Sequence, residues 1–277
     1  MNEFEIPKII WIFWNTGFDK AHPVVKNCVQ SWEIKNPNWK VVLLTQDNLS
    51  DYINKPDVPV DIFDKLPIQK QANLIRLKLL VEHGGVWADA TCYCMKPLDE
   101  WLRPHAPTGV FMFSNPGRDR IISNWFIASS KRNYLINELY KSRCDYWTKY
   151  TFNRTGFMMK KVMPHLDRVI NRNHKCPMLW FSSLFTKVLK ISPYLIFHYD
   201  FYRLINRDKQ CEEIWAGVKK ISADEPHKVQ RLGMLNEITE KTKQYIQDTD
   251  VPVFKLNYKF KPEKLTKNTL LHFLFHR

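Results

Sequence analysis

One segment, residues 71–91, constrains the fold more than any other part of the chain. Apolar residues recur in its first half at helical spacing, which predicts a helix with one side packed on a core. Gly84 and Gly85 supply the positive φ that ends a helix, and the apolar run 86–88 is typical of a buried strand. Asp89 then lies at the carboxyl end of that strand, where open α/β sheets bind ligands. The segment therefore predicts a helix, a tight turn and a strand that ends in a carboxylate at the rim of a sheet.

The helix also carries two polar residues that can address a common ligand. Asn73 and Arg76 are three residues apart, so their side chains are neighbours on the helix surface. The alternative for Arg76 is an ordinary surface ion pair.

The N-terminal part predicts a β-α-β unit. Residues 9–14 are nearly all apolar, as in a strand that is covered on both faces. A helical pattern follows and ends near Asn36 and Pro37, and residues 39–44 predict a second strand. Parallel strands joined in this way require a right-handed crossover, so the fold class is α/β with a Rossmann-like start. No G-x-G-x-x-G follows the first strand, which argues against a dinucleotide-binding dehydrogenase.

The rest of the chain is predicted to be mostly helical. Residues 110–113 predict another strand that 114–117 end, and helical spacings continue from Ser123 to about Lys190. Residues 209–250 are highly charged and predict solvated structure.

The length of 277 residues fits one domain, residues 1–277. We expect a ligand-binding core over 1–113 and a mostly helical region over 114–277, with the chain returning to the site near 251–259.

Charge and cysteine content limit the function classes. Lys and Arg exceed Asp and Glu by 42 − 28 = 14, so the surface should attract phosphate groups, although plain solubility is the alternative. The six cysteines form no C-x-x-C pair and follow no secretory signal, so we expect reduced thiols and a cytoplasmic protein. Cys92 and Cys94 lie near Asp89, but buried free cysteine is common and a metal role for them is not favoured.

Residues 71–91 resemble the donor-site core of the bacterial capsular polysaccharide synthesis glycosyltransferases. That signature runs S-D-x-x-R, then G-G-V-W, then a short acidic motif, and these enzymes are relatives of the DXD-type sugar transferases and of glycosyltransferase family 32. The resemblance extends to residues 6–17, to Ser31–Trp32 and Asn36–Pro37 and, more loosely, to 251–259. It implies a nucleotide-sugar-binding domain of the GT-A type with helical additions.

The resemblance also implies roles for individual residues. Asp89 would hold a divalent cation, Mn²⁺ or Mg²⁺, against the donor diphosphate, and Lys255 would stabilise the diphosphate from the C-terminal segment. Trp14 would stack on uracil, with Gly17 turning past the nucleotide, although a core position is an equal alternative for Trp14. The implied catalytic residues are Arg76, Asp89 and Lys255. The implied donor-binding residues are Trp14, Gly17, Asn73, Arg76, Gly85, Asp89 and Thr91.

Two positions depart from the family pattern. Asn73 stands where the family usually has Asp, and it can hydrogen-bond a sugar hydroxyl without bringing charge. Thr91 stands where DXD enzymes have a second acid, which leaves one carboxylate for a hard cation that commonly takes one or two. Asn124 and Trp125 resemble a family segment near the sugar, with a helix-start Asn and a packed Trp as the alternative.

The function implied is transfer of a hexose or N-acetylhexosamine from a UDP-sugar to a hydroxyl of a bacterial capsule or O-antigen precursor, with retention at the anomeric carbon. The acceptor would be a glycan or lipid-linked glycan at the inner face of the cell membrane. The alternatives are a nucleotide-sugar hydrolase or phosphotransferase, or a basic nucleic-acid-binding protein. Nucleic acid is not the expected partner, because no recognised basic motif is present.

The C-terminus offers a further prediction about membranes. Four apolar residues fall on one helical face, with four basic residues nearby. The apolar residues are Leu270, Leu271, Leu274 and Phe275, and the basic ones are Lys261, Lys264, Lys267 and Arg277. Such a segment can lie on an anionic bilayer, or it can be a terminal helix packed on its own domain.

Overall fold

The computed structural model of the protein describes residues 4–152 and 157–276, and the side chains of 157–161 fall outside the description. The strands are β1 Ile9–Phe13, β2 Lys40–Leu44, β3 Gly85–Ala88, β4 Cys92–Cys94, β5 Val110–Gly117, β6 Arg120–Ser129 and β7 Val253–Lys255. The helices are α1 Pro23–Lys35, α2 Val60–Phe63, α3 Ile68–Glu82, α4 Leu98–His105, α5 Tyr134–Lys149, α6 Phe157–Ile170, α7 Ile196–Ile205, α8 Lys209–Gly217, α9 Lys228–Leu232, α10 Glu240–Asp248 and α11 Leu270–Phe275. Short helical turns lie at Leu49–Asp51, Cys176–Phe181, Leu184–Val188, Glu225–His227 and Pro262–Lys264.

A five-stranded mixed sheet in the order β2-β1-β3-β6-β5 forms the centre of the protein. β1 pairs in parallel with both β2 and β3, whereas β6 is antiparallel to β3 and to β5. The predicted β-α-β start and the α/β fold class are confirmed. All four residues of β3 are buried, as expected for a strand covered on both faces.

The strand order reverses at β1, and this places a crevice at the carboxyl ends of β1 and β3, which we call the sheet edge. The chain passes from β1 to β2 on one side and returns to β3 on the other. Trp11 is paired with Trp87, so Trp14 and Asp89 both lie just beyond the carboxyl ends of neighbouring parallel strands. Ligands bind at this kind of switch point in open α/β sheets.

A second, two-stranded sheet brings the C-terminal part of the chain to the same edge. β4 follows Asp89 almost directly and pairs antiparallel with β7, with Cys92 opposite Lys255. The chain therefore returns to the crevice across more than 160 residues of sequence.

The sequence prediction is wrong for residues 114–129, whereas helices predicted further along the chain are present, with Leu135 and Leu139 in α5. β5 continues to Gly117, and β6 occupies residues that were predicted to be helical, including Asn124 and Trp125. The turn residues at 114–117 mark a bulge and the end of a hairpin, since the β5–β6 register shifts there and Asn115 has a φ of 52°. The sheet that carries the crevice thus extends past residue 113. The charged stretch 209–250 is likewise packed and not merely solvated, with Trp215 and Ile246 buried.

The C-terminal helix α11 packs into the protein through its apolar face. Leu270, Leu271 and Leu274 are at most 1% exposed and belong to an apolar cluster with Phe254 of β7. Tyr93 of β4 donates a hydrogen bond to the Leu274 carbonyl at 3.0 Å. The prediction that this face lies on a bilayer is therefore wrong, because the protein itself covers it; Arg277 lies outside the described residues. No helix within 4–152 and 157–276 has the length and hydrophobicity to span a bilayer.

Candidate active site

A cleft of about 500 Å³ opens at the carboxyl ends of β1 and β3. Its floor is the sheet edge, and helix α3 and the start of α7 form the opposite side. The polar and aromatic residues that line it are Phe13, Trp14, Asn15, Thr16, Gln69, Lys70, Asn73, Arg76, Trp87, Asp89, Thr91, Asn124, Tyr194, Phe197, His198, Lys255 and Tyr258.

Asp89 lies on the floor of the cleft between two cations. Its Oδ2 is 3.2 Å from Lys255 Nζ, and its Oδ1 is 3.3 Å from an Arg76 guanidinium nitrogen. Trp87 Nε1 donates a further hydrogen bond to Oδ1 at 2.9 Å. Burial alone would raise the pKa of Asp89, but Lys255 and Arg76 together outweigh burial and the pKa is lowered. The carboxylate therefore stays ionised, and its side chain is 29% exposed to the cleft.

Lys255 reaches this floor from β7. Its Nζ donates to Thr91 Oγ1 at 2.6 Å as well as to Asp89. Burial alone would lower its pKa, yet the attraction of Asp89 more than offsets this and the pKa is raised. The charged form of the ammonium is thus favoured, and it lies between the first and third residues of the Asp-Ala-Thr motif.

Arg76 is a buried residue, 5% exposed, and not part of the outer surface of α3. The guanidinium lies over the Trp87 ring at 4.9 Å and donates to the backbone carbonyls of Ala72 and Asn124. Burial lowers its pKa, and Asp89 opposes that effect. The alternative of a surface ion pair is wrong, because the side chain is fixed inside the cleft by backbone, ring and carboxylate contacts.

Asn73 and Asn124 form an amide pair on the wall beside Arg76. Asn124 Nδ2 donates to Asn73 Oδ1 at 3.0 Å. The alternative of a helix-start Asn is wrong, since Asn124 belongs to β6, where the antiparallel pairing with β3 brings it next to the Asp89 edge. Trp125 is buried against Phe113, as a packed Trp would be.

Trp14 lines the cleft, whereas Trp11 is buried in the core with its Nε1 bonded to the Gly84 carbonyl. The Trp14 ring meets Tyr258 edge-on at 5.0 Å, so an aromatic pair forms one end of the cleft. An aromatic face at this place offers a stacking platform for a planar base.

The two glycines among the predicted donor-binding residues are not brought to the cleft wall. Gly17 has a φ of 82° and closes a turn by donating to the Trp14 carbonyl, and it lies outside the cleft lining. Gly85 is buried, and a Cβ there would lie 2.6 Å from the Ile9 carbonyl oxygen. Its place in the sequence therefore reflects the close approach of β3 to β1 and not a contact with a ligand.

The side of the cleft facing the sheet edge is formed by residues that no sequence pattern indicated: Lys70, Tyr194 and His198. Lys70 donates to the carbonyls of Pro193 and Tyr194 at 3.0 and 2.6 Å, and burial lowers its pKa to about 7. His198 is 6% exposed, its Nδ1 has no hydrogen-bond partner within the described residues, and burial lowers its pKa to about 3. The only local signal was the position of Lys70 directly before the motif.

The donor set around Asp89 does not fit a divalent cation. Asp89 is the one carboxylate of the cleft lining, and both of its oxygens already contact cationic or N–H donors. Within 4–152 and 157–276 no group of three His, Cys, Asp or Glu side chains is arranged around a common point. The two cysteines near Asp89 do not improve the fit. Burial raises the pKa of both Cys92 and Cys94 to about 12, which favours the protonated thiols, and these thiols lie near the carbonyls of Trp125 and Lys96.

Comparison with known proteins identifies the family of the chain. A family model described as capsular polysaccharide synthesis protein matches residues 1–179. Identity is 26% over 179 residues to the O-glycosyltransferase braB of Annulohypoxylon truncatum, covering 57% of this chain and 42% of that protein. It is 34% over 104 residues to an initiation-specific alpha-1,6-mannosyltransferase of Candida albicans, covering 35% of this chain and 27% of that protein. It is 26% over 155 residues to inositol phosphoceramide mannosyltransferase 1 of Schizosaccharomyces pombe, covering 53% of this chain and 46% of that protein.

Among solved structures, the PaToxG glycosyltransferase matches with 14% identity and a TM-score of 0.38, over 72% of this chain and 85% of that one. The chain spans less than half the length of these curated relatives. The family model nonetheless covers well over half of the chain, and this protein belongs to the capsular polysaccharide synthesis protein family.

Proposed function

We propose that this protein is a glycosyltransferase that moves a hexose or N-acetylhexosamine from a nucleotide diphosphate sugar, with UDP as the first candidate, to a hydroxyl of a glycan. The observation that carries the proposal is the pair of cations, Arg76 and Lys255, held by Asp89 beside an aromatic end of the same cleft. An α/β sheet with its ligand edge at the β1–β3 switch point is compatible with a GT-A-type domain.

The diphosphate belongs on the sheet edge. Negative charge grows on the leaving diphosphate as the bond to the anomeric carbon breaks, and preorganised cations offset that charge. Lys255 and Arg76 are such cations, because Asp89 fixes both of them before any ligand arrives. Asp89 therefore acts by positioning the cations and by keeping them charged.

The nucleotide base and the sugar belong on opposite sides of the diphosphate. Trp14 and Tyr258 provide the base-stacking end, while Asn73, Asn124 and His198 offer neutral polar groups for sugar hydroxyls. His198 lines the same wall, and burial lowers its pKa to about 3, so it presents a neutral ring to the sugar. The mannosyltransferase names among the relatives favour a hexose.

The transfer is proposed to proceed with retention at the anomeric carbon. Asp89 is the one carboxylate of the lining and it is ion-paired, which leaves no free carboxylate there to serve as a nucleophile. In a front-face reaction the acceptor hydroxyl attacks on the side that the diphosphate leaves, and a departing diphosphate oxygen takes the hydroxyl proton. The acceptor we propose is a capsule or O-antigen precursor, free or lipid-linked, at the inner face of the bacterial membrane.

A thermal-shift panel of UDP- and GDP-sugars tests the proposal, because a ligand that binds only the folded state raises its melting temperature. We expect one donor to stabilise the protein, and transfer of its sugar to glycan acceptors to follow. Donor cleavage that no acceptor accelerates would favour the hydrolase instead. Salt-sensitive retention on nucleic acid without any protection by nucleotides would favour the nucleic-acid-binding alternative.

A further inference from the structure

We propose that the Lys255 ammonium takes the place of the divalent cation at the donor diphosphate, so that this protein binds its donor without metal. The inference rests on the proposed function and concerns the same cleft. It follows from where β7 places one side chain relative to the Asp-Ala-Thr motif.

The β4–β7 pairing fixes the position of the ammonium. Lys255 lies opposite Cys92 in the antiparallel register, directly after the motif. Its Nζ is 3.2 Å from Asp89 Oδ2 and 2.6 Å from Thr91 Oγ1, so it bridges the two side chains between which an ion would be held. The Lys255 side chain is only 16% exposed, and neighbouring β4 restricts where it can move.

The side chains on the floor of the cleft already supply a net positive charge without a metal ion. Lys255 and Arg76 bring two positive charges and Asp89 one negative, which leaves one net positive charge for the diphosphate. A divalent cation bound to Asp89 would have to displace one of these groups or lie within a few ångströms of two like charges. At that range like charges repel one another strongly even in a partly solvated cleft. Thr91 adds no negative charge to relieve it.

The test is calorimetric titration with UDP in excess EDTA and again in Mn²⁺. The wild-type dissociation constants are expected to agree within about 2-fold, because the ammonium already supplies the charge. Lys255→Met keeps most of the aliphatic stem and should weaken binding by about 10- to 100-fold in EDTA. Lys259→Met, an exposed lysine on the same segment, is the matched control and should bind like the wild type.

A double variant makes the test reciprocal. Lys255→Met combined with Thr91→Asp removes the ammonium and supplies a second carboxylate, and it is expected to regain UDP affinity in Mn²⁺ and not in EDTA. Wild-type binding that requires Mn²⁺ overturns the inference and leaves the proposed function standing. Absence of binding by both UDP and GDP under both conditions overturns the proposed function together with it. If the variants fail to fold, the wild-type comparison in EDTA and Mn²⁺ still decides the question.

A second, independent inference concerns the surface next to the cleft. We infer that residues 179–194 form a docking surface for an anionic lipid bilayer. Of the eleven exposed large apolar side chains in the described residues, seven lie between 162 and 194, and five of these belong to this surface. They are Leu179, Leu184, Val188, Leu189 and Tyr194.

The charge of this surface indicates that its partner is an anionic bilayer. No Asp or Glu occurs from residue 168 to 199, whereas Lys175, Lys187 and Lys190 are exposed among the apolar side chains. Apolar groups interspersed with lysines match the acyl boundary and the anionic headgroups of a bilayer. Tyr194 also lines the cleft, so docking here would place the cleft mouth at the membrane.

Co-sedimentation with vesicles tests the surface. The protein should pellet with phosphatidylcholine–phosphatidylserine vesicles and much less with phosphatidylcholine alone. Lys187→Glu with Lys190→Glu should lower partitioning by more than about 10-fold, since each basic group near an anionic surface contributes to binding. Ile34→Ser, an exposed apolar residue elsewhere, is the control and should pellet like the wild type. Unchanged partitioning of the double variant, or a dimer in light scattering that Val188→Ser dissolves, overturns the inference.

Discussion

One side of the cleft favours the charged forms of its titratable groups, and the other side favours the neutral forms. On the sheet edge, Asp89 and Lys255 stay ionised because each is the other's partner, which lowers the pKa of the acid and raises that of the amine. On the helical side, burial lowers the pKa of Lys70 to about 7 and that of His198 to about 3, so both groups are driven toward their neutral forms. The difference suits a ligand with a charged and an uncharged part. The sheet edge suits a diphosphate, and the helical side suits sugar hydroxyls.

Asp89→Asn tests the charged side and should have the largest effect. The variant keeps the shape of the side chain but removes the charge that positions Lys255 and Arg76. Removal of a preorganised electrostatic group commonly costs about 10²–10³ in kcat, and we expect a loss of that size in sugar transfer. A cooperative thermal melt would show that the fold is kept. Wild-type turnover in a folded Asp89→Asn protein would mean that the sheet edge does not carry the chemistry.

The sequence identified the charged side because its signals are local. The motif 71–91 carries the helix, the Gly84–Gly85 turn, the strand and Asp89 within one stretch, and residues 251–259 added Lys255 through the family resemblance. The helical side has no such stretch. The ammonium of Lys70 bonds to carbonyls 123 and 124 residues away, and no spacing in the sequence encodes that contact.

The difference between local sequence signals and long-range contacts also explains which predictions of the fold are wrong. Residues 114–117 contain Pro and Gly, which end strands in many proteins, and here they form a bulge and a hairpin turn. β6 therefore went unrecognised, although it is the strand that carries Asn124 to the cleft. The C-terminal apolar face can be recognised in the sequence, but only the tertiary structure shows that it packs with Phe254 of β7.

Trp14→Ala sharpens the comparison at the aromatic end of the cleft. Loss of one base–aromatic stack should weaken UDP binding by about 1–3 kcal/mol, measured by calorimetry. The neighbouring core residue provides the contrast, since Trp11→Phe should lower the melting temperature and leave UDP affinity nearly unchanged. Equal UDP affinity in Trp14→Ala and wild type would assign Trp14 to packing.

Burial of a neutral histidine on the helical side predicts acid sensitivity. The pKa of His198 in the folded protein, about 3, lies below the ordinary histidine value of 6.5, so the unfolded chain takes up this proton first as the pH falls. The contribution of His198 to stability is therefore complete above pH 6.5 and is lost as the pH falls from 6.5 to 3. Within that window its share of the slope reaches about 1.4 kcal/mol per pH unit. Urea unfolding at several pH values measures this slope.

His198→Gln should remove that part of the slope, because an amide stays neutral throughout the window. The stability of the wild type relative to the variant should therefore fall between pH 7 and pH 4, whatever the variant costs at neutral pH. His165→Gln, at an exposed position, is the matched control and should leave the slope unchanged. Parallel pH profiles for His198→Gln and wild type would show that His198 is solvated and accepts a proton in the folded protein. In that case the helical side would carry charge like the sheet edge, and the division of the donor between the two sides would be wrong.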